Sequence, residues 1–195
     1  MNFRLLIIIL FFILIGCKQN YTPKPRGFFR INFPEKNYHP LNNGFPYQFE
    51  IPDYAKITAD SRNPDQPFWI NITIPESKAE MHISYYNLQK RSDSGALFLG
   101  SFIEETRRLA YQHSIKADAI EEQIFMNQGR KVFGTIYRIE GNAASPMQFF
   151  LTDSTNHFLR GALYIREVPN IDSLKPVIDF LEPDVIRLIE TTSWN

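Results

Sequence analysis

Asp153, Ser154 and His157 place an acid, a hydroxyl and a base within five residues, the side-chain types of a nucleophilic hydrolase. Members of a catalytic triad rarely share one short loop, because the base needs an independently fixed orientation. Asp-Ser-Thr-Asn is also what a strand connection favours, since these side chains bond their own backbone. The turn reading is taken over the catalytic one. His113-Ser114-Ile115-Lys116-Ala117-Asp118 offers a polar edge, but His113 and Lys116 at a helix exit also complement the helix dipole, worth about 0.3–1 kcal/mol each. Gly141-Asn142-Ala143-Ala144-Ser145-Pro146 is small enough for a close backbone approach. Arg160, in a strand, has Asp153 and Glu140 as candidate partners on an exposed sheet face. The four histidines (39, 82, 113 and 157) fall on separate elements with no metal-ligand spacing. Phosphate-loop, GxSxG, HExxH and paired CxxC patterns are absent from the sequence. The expectation is no catalytic residue, no metal and no cofactor.

The most specific signal lies at the amino end. Leu5 to Ile15 is an unbroken apolar run preceded by Arg4. As a helix it reaches only about 16 Å against roughly 30 Å of hydrocarbon, so it reads as an export signal over residues 1–16. The run ends in Leu14-Ile15-Gly16-Cys17, and Cys17 is the single cysteine. This resembles a bacterial lipobox, which implies that the thiol receives a diacylglycerol, that cleavage leaves Cys17 first, and that acyl chains such as palmitate anchor it. With its one thiol modified, the mature chain can form no disulfide and must rest on its core. Residues 17–27 read as the lipidated cysteine and a tether. Lys18 to Gly27 spans at most about 35 Å and is stiffened by Pro23 and Pro25. Lys18, Gln19 and Asn20 follow the cysteine rather than an Asp, which points to the outer membrane and a periplasm-facing domain.

These residues sit in a chain of 195, 44% hydrophobic, with 21 basic and 21 acidic side chains. The balance disfavours a nucleic-acid partner. Seventeen Phe and nine Tyr promise an aromatic core. Residues 28–195 read as one domain. Strands are expected at 28–33, 47–51, 54–59, 68–74 and 81–85, most of them stopped by a proline or a turn. The period then changes to helical over 97–113, with Ser92 or Asp93 as cap. Strands at 119–125, 131–140, 147–152 and 157–166 follow, joined by short turns that make neighbours antiparallel. A closing helix over 172–191 is capped by Asn170 or Asp172, with Pro176 in its first turn and a kink or a break at Pro183. The order implies an α+β fold with an antiparallel sheet of about six or seven strands, one face buried under the two helices.

Longer runs carry a family resemblance. Tyr21–Gly27, Leu109–Ala119, Gly141–Phe150, Thr152-Asp153-Ser154, His157–Tyr164 and Leu188–Thr191 are similar to the gliding-motility lipoprotein GldD family. The resemblance covers nearly the whole mature chain. It implies a cell-envelope lipoprotein needed for gliding and for type IX secretion, acting beside other gliding lipoproteins. Only Cys17, as the lipidated residue, carries over.

Three functions compete. The leading one is a non-catalytic assembly factor that docks an envelope protein through exposed aromatics around Trp69, Tyr86 or Phe150. A glycan- or peptidoglycan-binding module would use an aromatic platform beside Asn142 and Arg160. An envelope hydrolase would use Asp153 or His157. No small-molecule substrate is expected.

Overall fold

The computed structural model describes residues 31–89, 95–168 and 170–195. Signal, Cys17, tether, the start of the strand expected at 28–33, and the Ser92 or Asp93 cap lie outside them. The strands are β1 (Tyr38–Pro40), β2 (Tyr47–Gln48), β3 (Glu50–Pro52), β4 (Lys56–Ala59), β5 (Ile70–Ile74) and β6 (Ala79–Asn87). Helix α1 (Gly95–Tyr111) and a 3-10 turn (Gln112–Ile115) lead to β7 (Ala117–Asn127), β8 (Val132–Gly141), β9 (Met147–Thr152) and β10 (His157–Ile165). Helix α2 (Ile171–Thr191) and β11 (Ser193–Trp194) close the chain.

Ile70-Asn71-Ile72-Thr73-Ile74 sends its three isoleucines to one face, and Pro75 stops the ladder. Lys78, at a left-handed φ of 49°, turns the chain into β6. The main sheet runs β4-β5-β6-β10-β9-β8-β7, every pair antiparallel. It is thus two meanders. The chain crosses through α1 from β6 to the far edge at β7, then folds back strand by strand until β10 zips onto β6. Small pairs β1–β3 and β2–β11 lie outside it.

The two helices cover opposite faces, not one face as the sequence suggested. Successive residues of a strand point to opposite sides. Phe149 and Leu151 of β9 join the core formed with Leu181, Val185 and Leu188 of α2, whereas Phe150 between them joins Phe158, Tyr137 and Ala110 of α1. All six residues of β9 are buried, as expected of a strand covered on both sides. Gly161 lets the Phe149 ring cross β10, since a Cβ there would stand 2.2 Å from its Cζ.

Residues 31–33 form no strand; Phe33 instead stacks on Phe180 of α2 at 4.2 Å. Nor do the prolines split the closing helix. Pro176 and Pro183 both lie within one 21-residue α2, and because the helix begins at Ile171, Pro176 falls in its second turn. In the turn that Pro183 loosens, the Phe180 carbonyl accepts a hydrogen bond from Lys36 Nζ at 2.6 Å. Asp184, only 3% exposed, then ties the amino-terminal arm down. Its carboxylate accepts from Lys36 Nζ at 2.6 Å, from Tyr38 Oη at 2.7 Å and from Tyr54 Oη. Burial and the Asp184 bond push the Tyr38 hydroxyl up to about 12, so it remains a donor. No helix among the described residues is long and apolar enough to cross a membrane.

Breaking a buried ion pair from one side leaves the other charge stranded. Asp184→Ala should therefore cost about 3–5 kcal/mol in denaturant unfolding. A cost below about 1 kcal/mol, the level of a surface pair, would show that the arm is held by its aromatic contacts alone.

Candidate functional site: a cup on the open half of the sheet

Helix α1 covers only part of its face, packing on Tyr86, Phe150, Phe158, Tyr137 and Ile139. Beside it the floor formed by β5, β6 and β10 stays open as a cup of about 460 Å³. Sheet register builds it: Arg160 stands opposite Ser84, Ala162 opposite His82, and His82 opposite Asn71.

One wall is the loop after β4. Asp60 accepts from Asn63 Nδ2 at 2.7 Å and from the Arg62 backbone N–H at 3.1 Å, with Arg62 Nε at 3.5 Å. Burial works against its charge, yet these donors hold its carboxyl below the usual range. Trp69 is pinned at two points. Its Nε1–H donates to the Tyr85 carbonyl at 2.8 Å, and its ring meets Tyr86 edge-on at 5.3 Å. His82 Nδ1 lies 2.6 Å from Asn71 Oδ1 and 3.2 Å from Arg62 Nη2. Burial lowers the His82 pKa. Glu80 pairs with Arg166.

Arg160 rises from the floor. One guanidinium nitrogen, Nη2, donates to Gln148 Oε1 at 3.2 Å. Among the described residues no carboxylate pairs with it, and its Nε and Gln148 Nε2 are buried without partners. Burial pulls its pKa down, yet a guanidinium stays charged at neutral pH. The arrangement is a positive charge held at the bottom of a polar cup beside an indole ring. That is geometry for binding.

Of the residues singled out from sequence, Trp69, Tyr86 and Arg160 come together here. Phe150 is adjacent but only 6% exposed, stacked on Phe158, so its ring packs a core rather than the surface. Asn142 lies elsewhere. Its Oδ1 accepts the Ile171 N–H at 2.9 Å and caps α2, a bond that the Asn170 side chain does not make. Asp153 and His157 form a third place, at the end of β10. Asp153 Oδ1 accepts the N–H groups of Thr155, Asn156 and His157 at 2.8–3.0 Å. Despite burial, these bonds hold its carboxyl below the ordinary range, as in a closed turn. His157 bonds Tyr85 Oη through Nδ1 at 2.7 Å and stacks on Trp194. Ser154, at φ 69°, bonds Thr152 through its backbone N–H. Sequence reasoning passed over Gln148 and Asp60 and weighed His82 only as a metal ligand. Gln148 alone left a signal, as the one amide inside the run Met147–Leu151. Among the described residues no group of three metal-ligating side chains converges.

Fold and site define an α+β domain whose sheet is clasped by helices on opposite faces. A family model described as gliding motility lipoprotein GldD matches residues 18–194, and the chain belongs to that family. Comparison with individually curated proteins gives no match. Among solved structures, the solution structure of cyanobacterial PsbP (CyanoP) from Synechocystis sp. PCC 6803 is similar at a TM-score of 0.46 and 9% identity, over 86% of this chain and 98% of that one.

His82, His113 and His157 all have pKa values lowered from 6.5, burial being the largest cause in each. The unfolded chain then binds protons more readily than the folded one. Stability from these groups is complete above about pH 6.5 and is lost as pH falls below it. Denaturant midpoints should drop between pH 7.5 and 5, and less so in His82→Gln/His157→Gln. A midpoint that rises on acidification would contradict the burial of these rings.

Proposed function

We propose that this chain is a lipid-tethered, non-catalytic component of the gliding motility and type IX secretion machinery, facing the periplasm from the outer membrane. The observation that carries this reading is the family match, which begins at the residue after Cys17. On this reading residues 1–16 are the export signal, Cys17 carries the acyl chains, and residues 17–27 tether a domain that begins at residue 28. A tether of this length keeps the domain within about 35 Å of its anchor. Confinement to a thin layer raises local concentration, so modest contacts with other envelope lipoproteins suffice.

The surface best suited to such a contact is the sheet edge at β7. It is an eleven-residue strand with one side unpaired among the described residues, and Ile124 and Met126 are 74% and 68% exposed. A long edge with exposed aliphatic side chains is an aggregation hazard when uncovered, which favours a protein partner lying against it.

Two experiments test this reading. Cys17→Ala should release the protein from the membrane fraction and stop gliding; full gliding by a soluble form would overturn the tether. Ile124→Lys/Met126→Lys should leave unfolding within about 0.5 kcal/mol of the parent, as surface changes do, while abolishing gliding. Normal gliding by a folded double variant would remove β7 as the docking edge.

A further inference from the structure

We propose that the cup binds an acidic saccharide, its carboxylate seated on the Arg160 guanidinium and its sugar ring against Trp69. The first observation is a charge without a salt-bridge partner among the described residues. Arg160 is largely buried, and among the described residues it has no acidic partner; its one hydrogen bond is to a neutral amide. Neighbouring acids are already satisfied: Asp60 by Asn63 and Arg62, Glu80 by Arg166, and Glu105, the carboxylate whose charge Arg160 feels, by Arg108. A cation kept half-dry and unpaired at the bottom of a cavity is complementary to an incoming carboxylate.

The second observation is Gln148, 1% exposed. Its Oε1 takes Arg160 Nη2, so it positions the guanidinium without neutralising it. Its own amide nitrogen has no partner among the described residues. This pair is better explained as holding a binding group in place than as a contribution to the fold.

Size and lining choose the ligand. A volume of about 460 Å³ is far more than a carboxylate needs and suits one sugar ring. The Trp69 indole is fixed by its bond to Tyr85 and its contact with Tyr86, so it is a rigid wall for the apolar face of a pyranose. Ser84 and Asn63 supply short polar groups, and Tyr164 a phenol, for ring hydroxyls. A peptide carboxylate fits less well. The floor is made of β5, β6 and β10, interior strands whose backbones are engaged in the ladder, so a peptide finds no edge to pair with. The inference is independent of the β7 edge.

The test uses the full lipidated chain in neutral detergent micelles at low salt. Titration with methyl β-D-glucuronide, followed by calorimetry and tryptophan fluorescence, should show binding at least tenfold tighter than with methyl β-D-glucoside or N-acetylglycine. Trp69 is one of only two tryptophans, and Trp194 packs on His157 outside the cup, so Trp69→Leu should abolish the fluorescence response as well as weaken binding. Arg160→Gln should weaken glucuronide binding at least tenfold while melting no lower than the parent, because it removes an unpaired buried charge. Gln148→Leu should weaken it less, and its residual binding should keep the preference for glucuronide over glucoside. Equal binding of glucuronide and glucoside would overturn the role of Arg160. Equal binding of N-acetylglycine and glucuronide would overturn the saccharide in favour of a simple carboxylate. Absence of any fluorescence or heat change with the unmutated chain would overturn the site outright, whatever the variants do.

Discussion

Everything described rests on the pairing of β10 with β6. These strands are some seventy residues apart in sequence, and their nine-residue antiparallel ladder joins two meanders that otherwise share no strand. The ladder sets Arg160 against Ser84 and Ala162 against His82, and so lays the floor of the cup. It also fixes both cores. Because side chains alternate, a slip of one residue would carry Leu159 and Leu163 from the α2 side to the α1 side and bring Arg160 under α2. Burial of Phe158 on one face and Leu159 on the other, each 0% exposed, holds the register from both sides.

The same alternation separates function from scaffold. The α2 face is closed: aliphatic residues of the sheet meet Leu181, Val185 and Leu188, and the amino-terminal arm is drawn onto α2 by Asp184 and the Phe33–Phe180 stack. The opposite face is closed only where α1 lies. A helix of seventeen residues cannot cover seven strands, and the part left open over β5, β6 and β10 carries His82, Ser84 and Arg160. The chain thus enters the domain on the α2 side, and the cup opens on the other.

Much of the fold was legible in the sequence because the signals were local. Alternation over 68–74 and helical spacing over 97–113 need only neighbouring residues, and the short turns between β7 and β10 forced antiparallel pairing. What could not be read was which distant strand β10 would meet, and hence which face each helix would take. The continuous apolar character of Met147–Leu151 was the available clue to burial on both sides. In α2, tertiary contacts overrode proline: Lys36 and Asp184 hold the turn that Pro183 weakens. The site was half visible. Trp69, Tyr86 and Arg160 stood out by residue type, whereas Gln148 and His82 matter only through cross-strand register. Asn142 and Asp153 drew notice as chemical groups but serve as a helix cap and a turn staple.

Native-state hydrogen exchange on the full chain tests the ladder most directly. Backbone amides hydrogen-bonded between residues 80–86 and 158–164 should be the slowest in the molecule, exchanging together at the free energy of global unfolding. If residues 79–87 exchange early while β7 to β10 stay protected, the two meanders are separate cooperative units. The β6–β10 seam would then not be what holds the fold and its cup together.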